Sequence, residues 1–197
     1  MIFNKEEYFE KTFRNQDFSG EKISSKQFEG CLFIGCNFSD VVFDSCNLVE
    51  CDFEKCNLSV VKLDRSRVSD VTFRDSKAIG IDWNRVVLPR LLFNSPVKFF
   101  NTILSDSSFF GLSFHELVVE GCVAHNVDFR EGDFSGSNFK FTDFSGALFS
   151  DTNLSRVDFT DATNFDIDIF RNKLEKAIFD RFEAVALLRS LGIELVG

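Results

Sequence analysis

Large apolar side chains recur every five residues along most of the chain. Of the seventeen positions reached in steps of five from Phe13 to Phe93, sixteen carry a large apolar residue, and Ala78 is the exception. The series continues from Phe99 to Phe159 after a shift of one residue. A five-residue period matches neither a helix nor a strand, which repeat every 3.6 and 2 residues. The pattern therefore predicts a chain that turns after every repeat and points one large side chain inward each time.

The five-residue period predicts an all-β solenoid. If four repeats close one square coil, residues 20 apart stack at about 4.8 Å, the spacing of neighbouring strands. Each coil then contacts only its two neighbours, as in other solenoids. We predict this quadrilateral β-helix over residues 1–180 and a capping segment over residues 181–197. The phase shift predicts a one-residue insertion, a bulge at a corner near residues 94–98, so that residues 21 apart stack across it.

A second inward position lies two residues before each large one and carries small side chains. All six cysteines occupy it: Cys31, Cys36, Cys46, Cys51, Cys56 and Cys122. Cysteines five apart match no zinc-ligand spacing, so we predict neither a metal site nor a cofactor. The stacking brings Cys31 and Cys51 close enough for a disulfide, but free cysteine also packs well as a small hydrophobe. We expect buried thiols.

The five-residue rhythm stops at Arg181, where helix-forming residues begin. Residues 182–191 favour a helix, and Gly192 is placed to end it as a C-cap, with a short apolar strand to follow. Apolar residues cover most of the helix circumference, so the tail either caps the last coil within one monomer or pairs with a second copy. We predict a homodimer. Its contact residues would be Phe182, Val185, Leu188, Leu191, Ile193 and Leu195.

The chain carries a net charge of −9, from 31 acidic and 22 basic residues. Such a surface repels nucleic acid and anionic lipid and suits a basic protein surface, although solubility alone also accounts for acidic charge. The first residues lack the apolar core of a signal peptide. No apolar run is long enough to span a bilayer. These features predict a cytoplasmic protein that binds neither nucleic acid nor membrane directly.

Stacking the coils also predicts where outward carboxylates line up. They form two columns on neighbouring faces, one with Glu50, Asp70, Glu131 and Asp151 and one with Asp44 and Asp64. B-DNA carries roughly 24 charges over a length of about 40 Å, so a chain with a net charge of −9 can imitate only a stripe of it. We predict that the six carboxylates contact a basic DNA-binding surface, and a solvated face is the alternative.

Three aromatic residues and both histidines fall in outward positions. Phe100, Phe110 and Phe141 are either interface anchors or rings that fold over the surface nearby. His115 and His125 lie on opposite faces of the predicted tower. Because no Ser/His/Asp set or metal-ligand set converges, we predict no catalytic residue and no enzymatic activity.

Two kinds of segment resemble a known family. The repeats Cys36–Asp40 and Ala147–Asp151 resemble the pentapeptide-repeat pattern of a small residue, Asp or Asn, Leu or Phe, and two variable positions, from which Leu148 departs. The run Leu187–Ile193 resembles the C-terminal end of the Qnr quinolone-resistance proteins and is similar to that of the immunity proteins against the gyrase poisons albicidin and microcin B17.

The resemblance implies a right-handed β-helix and a dimeric rod that is like B-DNA in shape and charge. It also implies a protein that binds DNA gyrase or topoisomerase IV and relieves inhibitor-trapped complexes. An interaction scaffold with an unrelated partner is the alternative function. Many Qnr proteins carry long projecting loops, for which a one-residue bulge leaves no room.

Overall fold

Four parallel ladders run along the sides of a tower in the computed structural model, which describes residues 3–88 and 95–193. The strands are β1 (Glu7–Phe9), β2 (Thr12–Arg14), β3 (Lys22–Ser24), β4 (Gln27–Glu29), β5 (Leu32–Ile34), β6 (Val42–Asp44), β7 (Asn47–Val49), β8 (Asp52–Glu54), β9 (Lys62–Asp64), β10 (Arg67–Ser69), β11 (Val71–Arg74), β12 (Val97–Phe100), β13 (Val118–Glu120), β14 (Asp158–Phe159) and β15 (Ile178–Phe179). Two 3₁₀ helices, Trp83–Arg85 and Glu183–Leu191, accompany them.

Each side of the tower is one ladder in which equivalent residues of successive coils are neighbours. Side 1 contains β3, β6 and β9, side 2 contains β1, β4, β7 and β10, and side 3 contains the six-stranded ladder from β2 to β13. Side 4 is built from isolated bridges, beginning with Asp17 to Asn37 and Asn37 to Asn57. The predicted β-solenoid is confirmed, with about eight turns and a short C-terminal helix.

The core is formed by the predicted series of large residues. From Phe18 to Phe159 every described member is buried except Leu88, which is half-buried. On side 3 the rings stack almost parallel, with centroids 4.8 Å apart for Phe33 and Phe53 and 5.2 Å apart for Phe53 and Phe73. Burying one such side chain stabilises the fold by roughly 1.5–3 kcal/mol. The repeated ring therefore supplies both the shape and the stability of the tower.

The second inward position forms a hydrogen-bonded ladder inside the tower. All six cysteines are buried and free, which confirms the expected thiols. The Cys36 backbone N–H donates to the Cys56 sulfur at 3.4 Å, and the Cys56 N–H donates to the Ser76 hydroxyl at 2.9 Å. Burial raises the pKa of Cys51, Cys56 and Cys122 to about 12. These neutral side chains satisfy buried N–H groups that would otherwise lack a partner.

The predicted one-residue insertion is wrong in size. In a regular coil Phe73 would pair with position 93, but it pairs with Phe99, so this coil, which we call the long coil, contains six additional residues. Val87 still donates to the Ser66 carbonyl in the regular register, and the Pro96 carbonyl accepts from Val71, so the additional residues lie between Val87 and Pro96. Six residues are one whole repeat plus one, and the phase of a five-residue pattern cannot distinguish six from one. Residues 89–94, including Phe93 of the predicted series, lie outside the described residues.

The C-terminal helix begins and ends where the sequence predicted a helix. It is a 3₁₀ helix, and Gly192 follows it with a left-handed φ of 68° while donating its N–H to the Arg189 carbonyl. Ala186 and Leu187 pack against the core of the last coils. The strand predicted after Ile193 lies outside the described residues. One side of the helix therefore covers the end of the tower.

Candidate functional site

The long coil divides the predicted acidic column between two corners of the tower. In the observed register, Asp70 stacks below Pro96, whereas Glu131 stacks above Gly111 and Arg85. Glu50 and Asp70 therefore share one corner, and Glu131 and Asp151 share the next. The single column was a wrong prediction, because its register across the long coil assumed an insertion of one residue.

Asp44 and Asp64 do form a column, as neighbours in the pairing of β6 with β9. Lys22 contacts the Asp44 carboxylate at 2.8 Å, and Arg65 contacts its other oxygen. The hydrogen bond from Lys22 and the charge of Arg65 lower the pKa of Asp44 to about 2. Asp64 in turn accepts from Arg85 at 2.7 Å. Both carboxylates are thus neutralised by cations of the same chain.

The remaining predicted carboxylates divide into paired and unpaired groups. Lys98 contacts Asp70 at 2.6 Å, and Arg171 contacts Asp151 at 2.7 Å. Two of the six have no ion pair within residues 3–88 and 95–193: Glu50 and Glu131. These two sit on neighbouring corners and are the predicted carboxylates most open to a basic partner.

The three outward aromatic residues differ in their surroundings. The Arg74 guanidinium lies over the Phe100 ring, 4.2 Å from its centroid, so this ring is covered by a side chain of the preceding coil. Arg130 lies 5.7 Å from the Phe110 ring, which remains 40% exposed. Phe141 is 55% exposed at a corner with a φ of 56°. Phe110 and Phe141 are therefore the two that a partner can reach.

The apolar tail is only half covered by its own tower. Opposite the side that packs on the last coils, four of the predicted dimer residues are exposed: Phe182, Val185, Leu191 and Ile193. Leu188 is half-buried, and Leu195 lies outside the described residues. Phe182 alone leaves 79% of its surface open. The helix thus caps the monomer and still presents an apolar surface.

The two histidines each contact an aspartate, on different sides of the tower. His115 lies 3.4 Å from Asp133 and His125 lies 2.9 Å from Asp143, on sides 2 and 4. Within the two described ranges, no group of three His, Cys, Asp or Glu residues is arranged to hold a metal ion. None of the described helices is long and apolar enough to cross a membrane.

Comparison with known families decides what kind of solenoid this is. The model for a pentapeptide repeat region matches residues 26–97, and the model for pentapeptide repeats in eight copies matches residues 125–161. The chain belongs to the pentapeptide-repeat family. Among curated protein sequences, none matches this pentapeptide-repeat protein significantly.

Solved structures of one member of the family resemble this pentapeptide-repeat protein over nearly its whole length. A trypsin-treated form of QnrB1, a plasmid-mediated fluoroquinolone resistance protein, is 27% identical with a TM-score of 0.64, covering 98% of this chain and 92% of that one. Full-length QnrB1 is 22% identical with a TM-score of 0.67, covering 95% and 100% of the two chains. The second likeness shows the fold alone.

Sequence reasoning missed one surface feature of this pentapeptide-repeat protein. On side 1, near the C-terminal end, a depression is bordered by an irregular turn that carries the exposed Phe170. The signal was present, because the five-residue phase is interrupted at Asn164. An interrupted phase shows where a repeat is irregular but not which side chain the irregularity exposes.

Proposed function

We propose that this protein protects DNA gyrase, or the related topoisomerase IV, from inhibitors by binding the enzyme in the cytoplasm. The observation that carries the proposal is the likeness to QnrB1 over 98% of the chain at 27% identity. An acidic tower with a net charge of −9 supports it, because a DNA-binding enzyme offers a basic surface. Protection would act through binding alone, without catalysis.

The ion pairs limit how the protein can imitate DNA. Four of the six candidate carboxylates are held by cations of the same chain, and exposed paired charges contribute little to an interface. Imitation of DNA would therefore depend on unpaired carboxylates at the corners, with Glu50 and Glu131 as the leading candidates. Two short acidic edges fit this geometry better than one continuous stripe.

The exposed side of the C-terminal helix supports a homodimer as the binding form. Phe182, Val185, Leu191 and Ile193 present apolar surface beside the capped end of the tower. A second copy placed there would cover this surface and double the length of the rod. Sedimentation of a Phe182→Ser and Leu191→Ser double variant would then give a monomer, and a dimer of unchanged stability would contradict the proposal.

A gyrase supercoiling assay with and without a fluoroquinolone tests the proposed function. We expect the purified protein to restore supercoiling in the presence of the drug. The double variant Glu50→Gln and Glu131→Gln should protect less, whereas Glu175→Gln, which removes an 80% exposed carboxylate elsewhere, should protect fully. Supercoiling that does not change at any protein concentration, in either condition, would overturn the proposal.

A scaffold for an unrelated protein partner is the second candidate function. The pairing of four of the six candidate carboxylates favours it, because only two charges remain on the predicted acidic columns for imitating DNA. Affinity capture from cells distinguishes the two functions. Recovery of topoisomerase subunits supports enzyme protection, and consistent recovery of one other protein without them supports the scaffold.

A further inference from the structure

The last coils contain a turn that does not follow the five-residue repeat. Phe149 pairs with Ile167, which lies two positions before its regular partner, whereas Asn153 pairs with Lys173 in the regular register. Phe165 and Ile167 fill the core in this region. Two more residues than the register needs thus lie between positions 167 and 173, and they form a turn at the corner between sides 1 and 2.

Hydrogen bonds fix this turn. The Phe170 backbone N–H donates to the Asp168 carboxylate at 2.8 Å, and the Arg171 N–H donates to the Asp168 carbonyl at 3.2 Å. The Asn172 side-chain amide donates to the same carbonyl at 2.9 Å. Phe170 is 73% exposed at the tip. An exposed ring on a fixed turn loses little conformational entropy on binding, which suits an interface anchor.

Beside this turn lies a depression of about 310 Å³. Its lining includes Arg130, Leu148, Phe149, Asp166, Asp168 and Arg171. Leu148 is 45% exposed in it, in the repeat position that is Asp or Asn in many other repeats. Phe110 extends the apolar surface on the far side of Arg130. Phe170 lines the adjoining depression on side 2, and Arg171 borders both depressions. We call the first depression, together with Phe110 on one side and Phe170 beyond Arg171 on the other, the side-1 groove.

The rim of the side-1 groove is negative. Arg130 makes a bidentate contact with Asp128, with distances of 2.9 and 2.8 Å, and Arg171 contacts Asp151 at 2.7 Å. Both guanidinium groups are therefore neutralised. Asp166 has no ion pair in the part of the chain that the structure describes. Together with Asp168, the surroundings of the groove contain four carboxylates and only two guanidinium groups, and the net charge there is therefore negative.

We propose that the side-1 groove is a docking site for a protein segment that carries an apolar or aromatic side chain next to basic residues. Apolar side chains of this segment would pack on Leu148 and, beyond Arg171, on Phe170, and the basic residues would meet Asp166 and Asp168. The acidic rim repels nucleic acid and anionic lipid, which leaves a protein segment as the fitting occupant. The inference does not rest on the proposed function, because it concerns an apolar site rather than imitation of DNA.

Fluorescence polarisation with a synthetic peptide tests the site. The probe is a labelled amphipathic peptide of alternating faces, Leu and Phe on one and Lys on the other, and the comparison peptide has Glu in place of Lys. We expect only the basic peptide to bind. The double variant Leu148→Ser and Phe170→Ser should bind it at least tenfold more weakly. Phe9→Ser, which removes a 46% exposed ring from the first coils, should bind it as the wild type does.

Three outcomes would overturn the proposal. The first is equal binding of the basic peptide by the wild type and the double variant, which would mean that charge alone attracts it. The second is equal binding of the acidic and basic peptides. The third is a double variant that binds peptide normally but loses self-association in sedimentation, because a second copy would then occupy the groove. Circular dichroism of the variants confirms that the tower is intact, as expected for exposed positions.

Discussion

The tower has two halves, separated by the long coil, that use one five-residue period with different local conformations. In the described residues, eleven of the strands lie before Leu88, and four lie after Ser95. The C-terminal half consists mainly of bridges separated by turns. Both halves nevertheless keep the same stacking of coil on coil and the buried core. Stacking is therefore independent of whether each repeat is a strand or a turn.

One repeat position accounts for part of this difference. From Asp128 to Asp158 the residue before the large one is Asp or Asn in six of seven repeats, and each of these six side chains accepts from the backbone N–H two residues on, as Asp133 does from Ser135 at 3.0 Å. In strands such as β6 that residue is Val42, which cannot accept. Side 4 of the N-terminal half provides the internal check, because Asn37 accepts from the Ser39 N–H at 3.1 Å and forms a turn there.

The largest expected effect tests whether the two halves share one kind of core. Phe53 stacks between Phe33 and Phe73 in the first half, and Phe129 stacks between Phe109 and Phe149 in the second. We expect Phe53→Ala and Phe129→Ala each to lower the free energy of unfolding by about 3–5 kcal/mol, because each leaves a cavity. Chemical denaturation measures this. A loss in one half only would show that the cores differ.

The next effect concerns the turn-forming position itself. Asp133→Ala removes an acceptor for the Ser135 N–H and for the Asn153 amide, and we expect a loss of about 1–3 kcal/mol in the free energy of unfolding. Asp52→Ala is the matched control, because Asp52 holds the same repeat position in strand β8 and makes no side-chain hydrogen bond among the described residues. We expect the control to change stability by less than about 0.5 kcal/mol. If both variants lost the same free energy of unfolding, the side-chain hydrogen bonds of Asp133 would not be what stabilises the turn.

A smaller effect is expected at the corners. Val60 is β-branched, 48% exposed and held at a left-handed φ of 54°, a conformation that is strained for such a residue. We expect Val60→Gly to stabilise the tower by about 0.5–1 kcal/mol. Asp40→Gly, at the neighbouring corner in the same column with a φ of 57°, should be nearly neutral because Asp tolerates this region. A destabilised Val60→Gly variant in thermal unfolding would contradict the assignment of strain.

The last prediction concerns acid stability. The pKa of Asp44 is about 2 in the folded chain, below its ordinary value of 3.8. A lowered folded-state pKa contributes stability above pH 4, and this contribution is lost as the pH falls through about 2. We expect Asp44→Asn to have a lower Tm than the wild type at pH 7, and we expect the difference in Tm to disappear below pH 2. Glu50→Gln, which removes an unpaired carboxylate, should leave Tm unchanged at pH 7.

Much of the fold could be predicted because every coil of the solenoid makes the same contacts with the coils next to it. The period set by Phe33, Phe53 and Phe73 requires one inward-facing ring above another in successive coils, and the same pattern places Cys51 and Cys56 inside. Surface properties could not be predicted in the same way. Whether Asp44 carries a free charge depends on Lys22 and Arg65, which approach it from neighbouring coils.

The sequence by itself determined the solenoid, its buried core and the position of the C-terminal helix, because each follows from contacts that recur at a fixed spacing. Only the tertiary structure decided the size of the insertion, because six residues and one residue leave the same phase. It also decided which carboxylates are paired and which ring the turn at Phe170 exposes. Those properties depend on which residues of one coil lie against which residues of the next. Where the five-residue repeat is interrupted, the period of the sequence no longer determines those contacts.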